Sequence, residues 1–96
     1  MIPLNRIPTT PGEIIREEYL IPLNLTQDDL AKGINVSRIT VNKIINGKQG
    51  ITADIALRLS KFFNTSPDFW LNLQMAVNLY LTNTKKKSEY KNIKPV

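Results

Sequence analysis

The chain has 96 residues, enough for one domain with a modest core, and a net charge of +5. It contains neither cysteine nor histidine, which excludes disulfides and thiolate metal sites and removes the commonest general base and the commonest zinc ligands. Because of these missing residues, we expect no enzymatic activity, metal or cofactor. No stretch approaches the roughly 20 apolar residues of a transmembrane helix, and we expect a cytoplasmic protein.

The positive charge is distributed unevenly along the chain. Residues 85–96 hold five lysines and one glutamate, and therefore +4 of the total of +5. Residues 30–53 contain four cations and no acidic residue. We predict that residues 10–83 form the folded domain, preceded by an N-terminal extension, residues 1–9. Residues 84–96 are too polar to pack and are predicted to form a flexible, disordered basic tail, either solvated or in contact with DNA phosphates.

The first predicted helix runs from Pro11 to about Leu20. Thr10 is a suitable N-cap, proline is favoured at the first helical position, and Glu13 lies three residues after the cap. The helix is predicted to end before Pro22, because a proline disfavours helical backbone at the residue that precedes it.

Two further helices follow closely, joined by a tight turn. Thr26 caps the short segment QDDLAKG, whose two aspartates lie in the first turn, where negative charge is favoured. Asn35 then suits the turn, since asparagine tolerates left-handed backbone. Ser37 caps the third helix and Gly47 ends it. This arrangement of two short helices is the one that places a helix in the major groove of DNA.

The fourth and fifth helices complete an all-α fold. Thr52 precedes the segment ADIALRLSKFF, and Ser66 precedes the longest helix, PDFWLNLQMAVNLYL. The fifth helix has one broad apolar stripe and a second one on another side, formed by Leu71, Met75 and Leu79. The second stripe predicts a homodimer interface; the alternative is that the first helix or the tail covers it.

The third helix has an apolar side and a polar side. At about 100° per residue, Val41 and Ile44 lie opposite a face that combines cations and amides with one isoleucine. Four residues of that face are predicted to contact bases of double-stranded DNA: Arg38, Ile39, Asn42 and Lys43. The cations suit guanine, the amide suits adenine, and the isoleucine suits a thymine methyl group. The alternative is an ordinary solvated face with one exposed aliphatic residue.

Phosphate contacts are predicted around this face, from hydroxyls, amides and one cation. The predicted set is Gln27, Ser37, Thr40, Asn46, Lys48 and Thr52. Such contacts hold a protein in register on the duplex but do not read the sequence.

Residues 26–47, TQDDLAKGINVSRITVNKIING, resemble the helix-turn-helix of the phage-repressor class, with Asn35 where that class usually has glycine. Residues 10–81 are similar throughout to the HigA (VapI) antitoxins, through the markers PGEI, NGKQGIT, ALRLSKFF and FWLNLQ. The resemblance implies a five-helix, lambda-repressor-like domain. It also implies a type II antitoxin that represses its own operon as a dimer on palindromic operator DNA. The expected partner is a toxin protein of the RelE class, which cleaves mRNA on the ribosome.

Two other functions remain open from the residues alone. A transcription regulator without a toxin partner would share the same DNA-facing helix. A module that binds only protein would share the fold, because helix-turn-helix geometry also occurs in domains that bind no DNA. Catalysis is excluded, since no histidine is present to activate a serine or threonine.

Overall fold

The computed structural model describes residues 6–96, and in that part of the chain it contains five helices and no strand. Helix α1 (Pro11–Ile14) continues directly into a π-helical segment, Ile15–Leu20. The others are α2 (Gln27–Ile34), α3 (Arg38–Ile45), α4 (Ala53–Phe63) and α5 (Pro67–Tyr90). The predicted all-α, five-helix fold is confirmed. Residues 1–5 of the predicted N-terminal extension lie outside the described residues.

Every helix begins at a serine or threonine hydroxyl that accepts a hydrogen bond from the backbone three residues later. The caps are Thr10, Thr26, Ser37, Thr52 and Ser66. Thr26 and Asp29 form a capping box. The Thr26 hydroxyl accepts from the Asp29 N–H at 3.0 Å, and the Asp29 carboxylate accepts from the Thr26 N–H at 2.8 Å. The predicted caps are therefore confirmed.

The first helix differs from its prediction over six residues. Ile15–Leu20 is π-helical, and the N–H of Ile21 donates to the carbonyl of Arg16 at 3.1 Å. Residues five apart in an α-helix point about 140° away from each other. The wider π turn allows both Ile15 and Leu20 to be buried, so packing against the core explains the change of register.

The core lies between all five helices and centres on Trp70, which is fully buried. The Trp70 Nε1–H donates to the Thr65 hydroxyl at 2.7 Å, so burial leaves no polar atom of the indole unpaired. The rings of Tyr19 and Phe63 pack beside it, with centroids 5.6 and 6.1 Å from the indole. Trp70 is thus a packing residue of the core.

The C-terminal end of α5 lies beyond its predicted position. Helix α5 continues to Tyr90, with one non-helical residue, Lys86, at φ −112° and ψ 16°. Apart from Lys86, residues 84–90 are therefore helical, not disordered, although their side chains are exposed. Extending an established helix needs no new nucleus, and lysine and glutamate are good helix formers. None of the described helices, α5 included, is both long and apolar enough to cross a membrane.

Candidate nucleic-acid interface

Helices α2 and α3 pack against each other through buried aliphatic side chains, which fixes the angle between them. Asn35 sits between them with a φ of 57°, the left-handed conformation predicted for the turn. The N–H of Val36 donates to the carbonyl of Ala31 at 3.0 Å and closes the turn. The pair forms a helix-turn-helix whose second helix exposes one side to solvent.

Arg58 of α4 braces this turn. Its Nη1 donates to the carbonyls of Ile34 and Asn35 at 2.9 and 3.2 Å, and its Nε pairs with Asp54 at 3.0 Å. The guanidinium therefore satisfies carbonyls that the end of α2 leaves without a helical partner. The sequence reasoning missed this role, because the contact joins residues more than 20 positions apart and carries no local signal.

The four predicted base-contacting residues lie together on the exposed side of α3. Arg38, Ile39, Asn42 and Lys43 line one shallow depression with Lys48, and Val41 and Ile44 are buried behind it. Ile39 is an aliphatic residue on this polar face, and its side chain is 68% exposed. The depression presents two lysines, an arginine, an amide and an aliphatic side chain to a ligand, which are the groups that read base edges in a major groove.

Asn42 is held in a hydrogen-bonded chain across the two helices. Its Nδ2 donates to Gln27 Oε1 at 3.2 Å, and its Oδ1 accepts from Asn46 Nδ2 at 3.2 Å. A primary amide has two N–H donors and two lone pairs. Asn42 therefore keeps one donor and one acceptor, which is the combination that pairs with adenine N6 and N7.

Arg38 is paired across the turn with an acidic residue of α2. Its Nε lies 3.4 Å from Asp28 Oδ1, and both side chains are more than half exposed. The Nε contact leaves the two terminal nitrogens of the guanidinium free to form a bidentate pair.

Of the predicted phosphate-contacting residues, Lys48 lines the depression itself, and several of the others already have hydrogen-bond partners. The hydroxyls of Ser37 and Thr52 cap α3 and α4, and Ser37 Oγ also lies 2.9 Å from Thr40 Oγ1. A capping hydroxyl accepts from the backbone and still has its own hydrogen to donate. Lys48 is exposed, in the loop between α3 and α4.

Gln74 of α5 braces that loop from behind, and the sequence reasoning assigned it no role. Its Oε1 accepts from the N–H of Ile51 at 2.8 Å, and its Nε2 donates to Asn78 Oδ1 at 3.0 Å. Because Ile51 lies between Lys48 and Thr52, Gln74 positions the segment that carries both residues. The only signal in the sequence is its place in the marker FWLNLQ.

Only part of the second stripe of α5 packs against the core. Leu71 packs against the buried cluster, whereas Met75 and Leu79 are 49% and 41% exposed. The exposed part of the predicted dimer interface is therefore formed by Met75 and Leu79.

Acidic side chains among residues 6–96 do not gather into a metal site. Hydrogen bonds from the backbone and side chain of Thr26 hold the pKa of Asp29 below its ordinary value of 3.8. Three cations, Arg38, Lys43 and Lys48, line the depression, and Arg38 is paired with Asp28.

A helix-turn-helix family model matches residues 15–70 of this chain. An uncharacterized HTH-type transcriptional regulator of Haemophilus influenzae is 42% identical over 94 residues, which are 96% of this chain and 88% of that protein. Antitoxin HigA-1 of Vibrio cholerae is 38% identical over 91 residues, 95% of this chain and 86% of that protein. The structure of Pseudomonas aeruginosa antitoxin HigA with the higBA promoter matches with a TM-score of 0.88 at 39% identity, covering 93% of this chain and 98% of that one.

Proposed function

This chain belongs to the helix-turn-helix family and, within it, to the HigA antitoxins, and on that premise we propose that it represses its own operon and neutralises a toxin of the RelE class. The family consists of DNA-binding regulators and antitoxins, not enzymes. Two separate activities are thus proposed for one chain, and each has its own evidence and its own test.

The exposed side of α3 carries the DNA-binding part of the proposal. Arg38, Ile39, Asn42 and Lys43 project into one depression, and Asn42 is already oriented by Gln27. An isoleucine that is 68% exposed among charged and amide side chains has an unfavourable contact with water. A thymine methyl group would cover it, and the polar neighbours would pair with adjacent base edges.

Phosphate contacts would come from Lys48, which lines the same depression, and from polar groups of α2, α3 and the start of α4. The proposed groups are the hydroxyls of Ser37, Thr40 and Thr52, the amides of Gln27 and Asn46, and the ammonium group of Lys48. The N-termini of α2 and α4 add backbone N–H groups, which favour anions. These groups would set the register of α3 in the groove, and the four base-contacting residues would read the sequence.

A dimer is the assembly that palindromic operator DNA requires. Two recognition helices related by a two-fold axis meet half-sites one helical turn, about 34 Å, apart. Met75 and Leu79 are exposed one helical turn apart on α5, and Leu71 on the same stripe connects them to the core. We propose that two copies of α5 pack through this stripe.

A substitution at Lys43 tests the reading of bases. Lys43→Ala is expected to weaken binding to the operator by about 1–3 kcal/mol and to weaken binding to random DNA much less. Lys61→Ala is the matched control, because Lys61 is an exposed lysine in the last turn of α4, at the opposite end of that helix from the predicted phosphate contact Thr52. Fluorescence anisotropy with both duplexes gives the four affinities. Equal losses on the two duplexes would reduce Lys43 to a phosphate contact.

Growth of cells tests the antitoxin part. The small reading frame next to this gene is expressed alone and together with this chain. Arrest that this chain relieves supports neutralisation of a toxin, and loss of cellular mRNA during the arrest supports the RelE class. A harmless neighbour, or an arrest that persists, would favour a transcription regulator without a toxin partner.

A further inference from the structure

Among residues 6–96, Asp28 is the one acidic side chain paired with a predicted base-contacting residue. It lies in the first turn of α2, next to Gln27, and its carboxylate is 3.4 Å from Arg38 Nε. A carboxylate at this position weakens attraction to phosphates, since it stands beside a predicted phosphate contact. The dipole of α2 favours a carboxylate at this position, but that effect does not require the contact with Arg38, and on this surface the carboxylate opposes binding of DNA in general.

The ion pair is weak in the free protein and stronger in a complex. Both side chains are more than half exposed, 69% for Arg38 and 54% for Asp28, and water screens such a pair. A DNA groove that closes over the depression removes that water, and the lower dielectric strengthens the interaction. The carboxylate therefore acts most strongly when α3 is docked.

Geometry limits what Arg38 can contact while this pair exists. The Nε side of the guanidinium faces Asp28, and the two terminal nitrogens remain free. Guanine presents O6 and N7 as two neighbouring acceptors that these nitrogens can meet together. A phosphate oxygen in place of guanine would bring a second negative charge close to Asp28. The pair thus permits guanine and disfavours phosphate.

We propose that Asp28 is a specificity-determining residue, which orients Arg38 toward guanine and keeps its guanidinium off the phosphate backbone. The inference rests on the proposed reading of DNA by α3 and extends it to a residue outside that helix. Asp28 itself contacts no base. It lowers the affinity for random DNA and thereby increases the ratio between operator and random binding.

The test compares Asp28→Ala with Asp68→Ala on an operator duplex and on a shuffled duplex of the same composition. Asp68 is the matched control, because it is the second residue of α5 as Asp28 is of α2. Both substitutions remove one negative charge from the first turn of a helix. Affinities are measured by fluorescence anisotropy over a series of salt concentrations, and circular dichroism follows thermal unfolding of each variant.

Asp28→Ala is expected to bind the shuffled duplex more tightly and the operator no more tightly, so that the affinity ratio falls by about tenfold. Arg38 then becomes free to bind a phosphate. For the shuffled duplex, the slope of log affinity against log salt concentration should therefore become steeper by about 0.9, the value for one additional phosphate contact. In an Arg38→Ala background, removing Asp28 should change both affinities by the same factor. Asp68→Ala should leave the ratio unchanged.

An unchanged ratio for Asp28→Ala, or an equal fall for Asp68→Ala, would overturn the role of Asp28 and leave the proposed function intact. A wild-type protein that binds the two duplexes equally would instead contradict the proposed function itself. The two failures are therefore distinguishable in one set of titrations.

Discussion

Gly12 is the point at which α1 approaches the end of the recognition helix α3. It is buried, and a methyl group in place of its hydrogen would lie 2.5 Å from the carbonyl oxygens of both Ile44 and Ile45. Ordinary contact begins at 3.4 Å. The obstacle is backbone, which has no rotamer to adopt. Gly12→Ala must therefore move α1 and α3 apart.

The cost follows from this geometry. Relief of both contacts needs a displacement of about 0.9 Å, the difference between 3.4 and 2.5 Å. Forcing an extra methyl group into a packed site costs about 1–3 kcal/mol, and a displaced backbone belongs in the upper part of that range. Alanine recovers up to about 1 kcal/mol of helix propensity. We expect a net loss of about 2 kcal/mol, which lowers Tm by about 8–16 °C in a domain of this size.

Gly33→Ala is the matched control, because it makes the same substitution inside α2. A methyl group there would meet the ring of Phe62, which is 38% exposed and can rotate toward solvent. The gain in helix propensity should offset much of the lost packing, so we expect a change below about 1 kcal/mol. Urea unfolding followed by circular dichroism measures both variants.

Two results would refute this reasoning. One is a Gly12→Ala protein as stable as the wild type. The other is a Gly33→Ala protein that loses as much stability as Gly12→Ala. A displaced α3 also predicts weaker operator binding by folded Gly12→Ala, which the same anisotropy titration measures.

Three further predictions concern stability, pH and assembly. Gln74→Leu leaves the half-buried N–H of Ile51 without its acceptor and should lower the free energy of unfolding by about 1–3 kcal/mol in urea; a change below about 0.5 kcal/mol would contradict it. The pKa of Asp29 is lowered by hydrogen bonds from Thr26, so its stabilisation is fully present above the ordinary value of 3.8 and is lost as pH falls through the lower folded value. In the wild type, the urea concentration at the midpoint of unfolding should therefore fall at acidic pH, and Asp29→Asn should make this fall smaller. An unchanged pH dependence in Asp29→Asn would contradict the role given to the Asp29 carboxylate. Met75→Glu places a charge in the proposed dimer interface and should halve the mass measured by light scattering; an unchanged mass would exclude the stripe as the interface.

The local signals in the sequence are sufficient for the N-terminal ends of the helices and for the turn between α2 and α3. A capping hydroxyl such as Thr26 bonds to a backbone group three residues away, and a left-handed turn such as Asn35 depends on one residue. The polar face of α3 follows from helical periodicity in the same way, and the exposure of Ile39 agrees with it. These features need no knowledge of tertiary packing.

The features that escaped prediction depend on packing between distant residues. The π turn after α1 exists because Ile15 and Leu20 share one core. Arg58 and Gln74 act on backbone groups 23 or 24 positions away. At the interface, the pairing of Arg38 with Asp28 depends on how α2 crosses α3. No sequence pattern specifies that angle.

The extent of α5 illustrates a different limit. Composition predicted a disordered tail from residue 84, and the helix continues to Tyr90. Amino-acid composition indicates whether a segment can bury apolar surface, and residues 84–90 bury little. It does not account for a preceding helix that removes the cost of nucleation.

The central claim is that the exposed side of α3 reads DNA sequence, and one comparison tests it most directly. The wild type and a variant with alanine at all four base-contacting positions, Arg38, Ile39, Asn42 and Lys43, are titrated with DNA from upstream of the chain's own gene and with a shuffled duplex. The four positions lie in the surface depression and outside the core, so the variant should fold. We predict that the wild type prefers its own upstream DNA and that the variant binds both duplexes equally. A variant that keeps the preference would contradict the account.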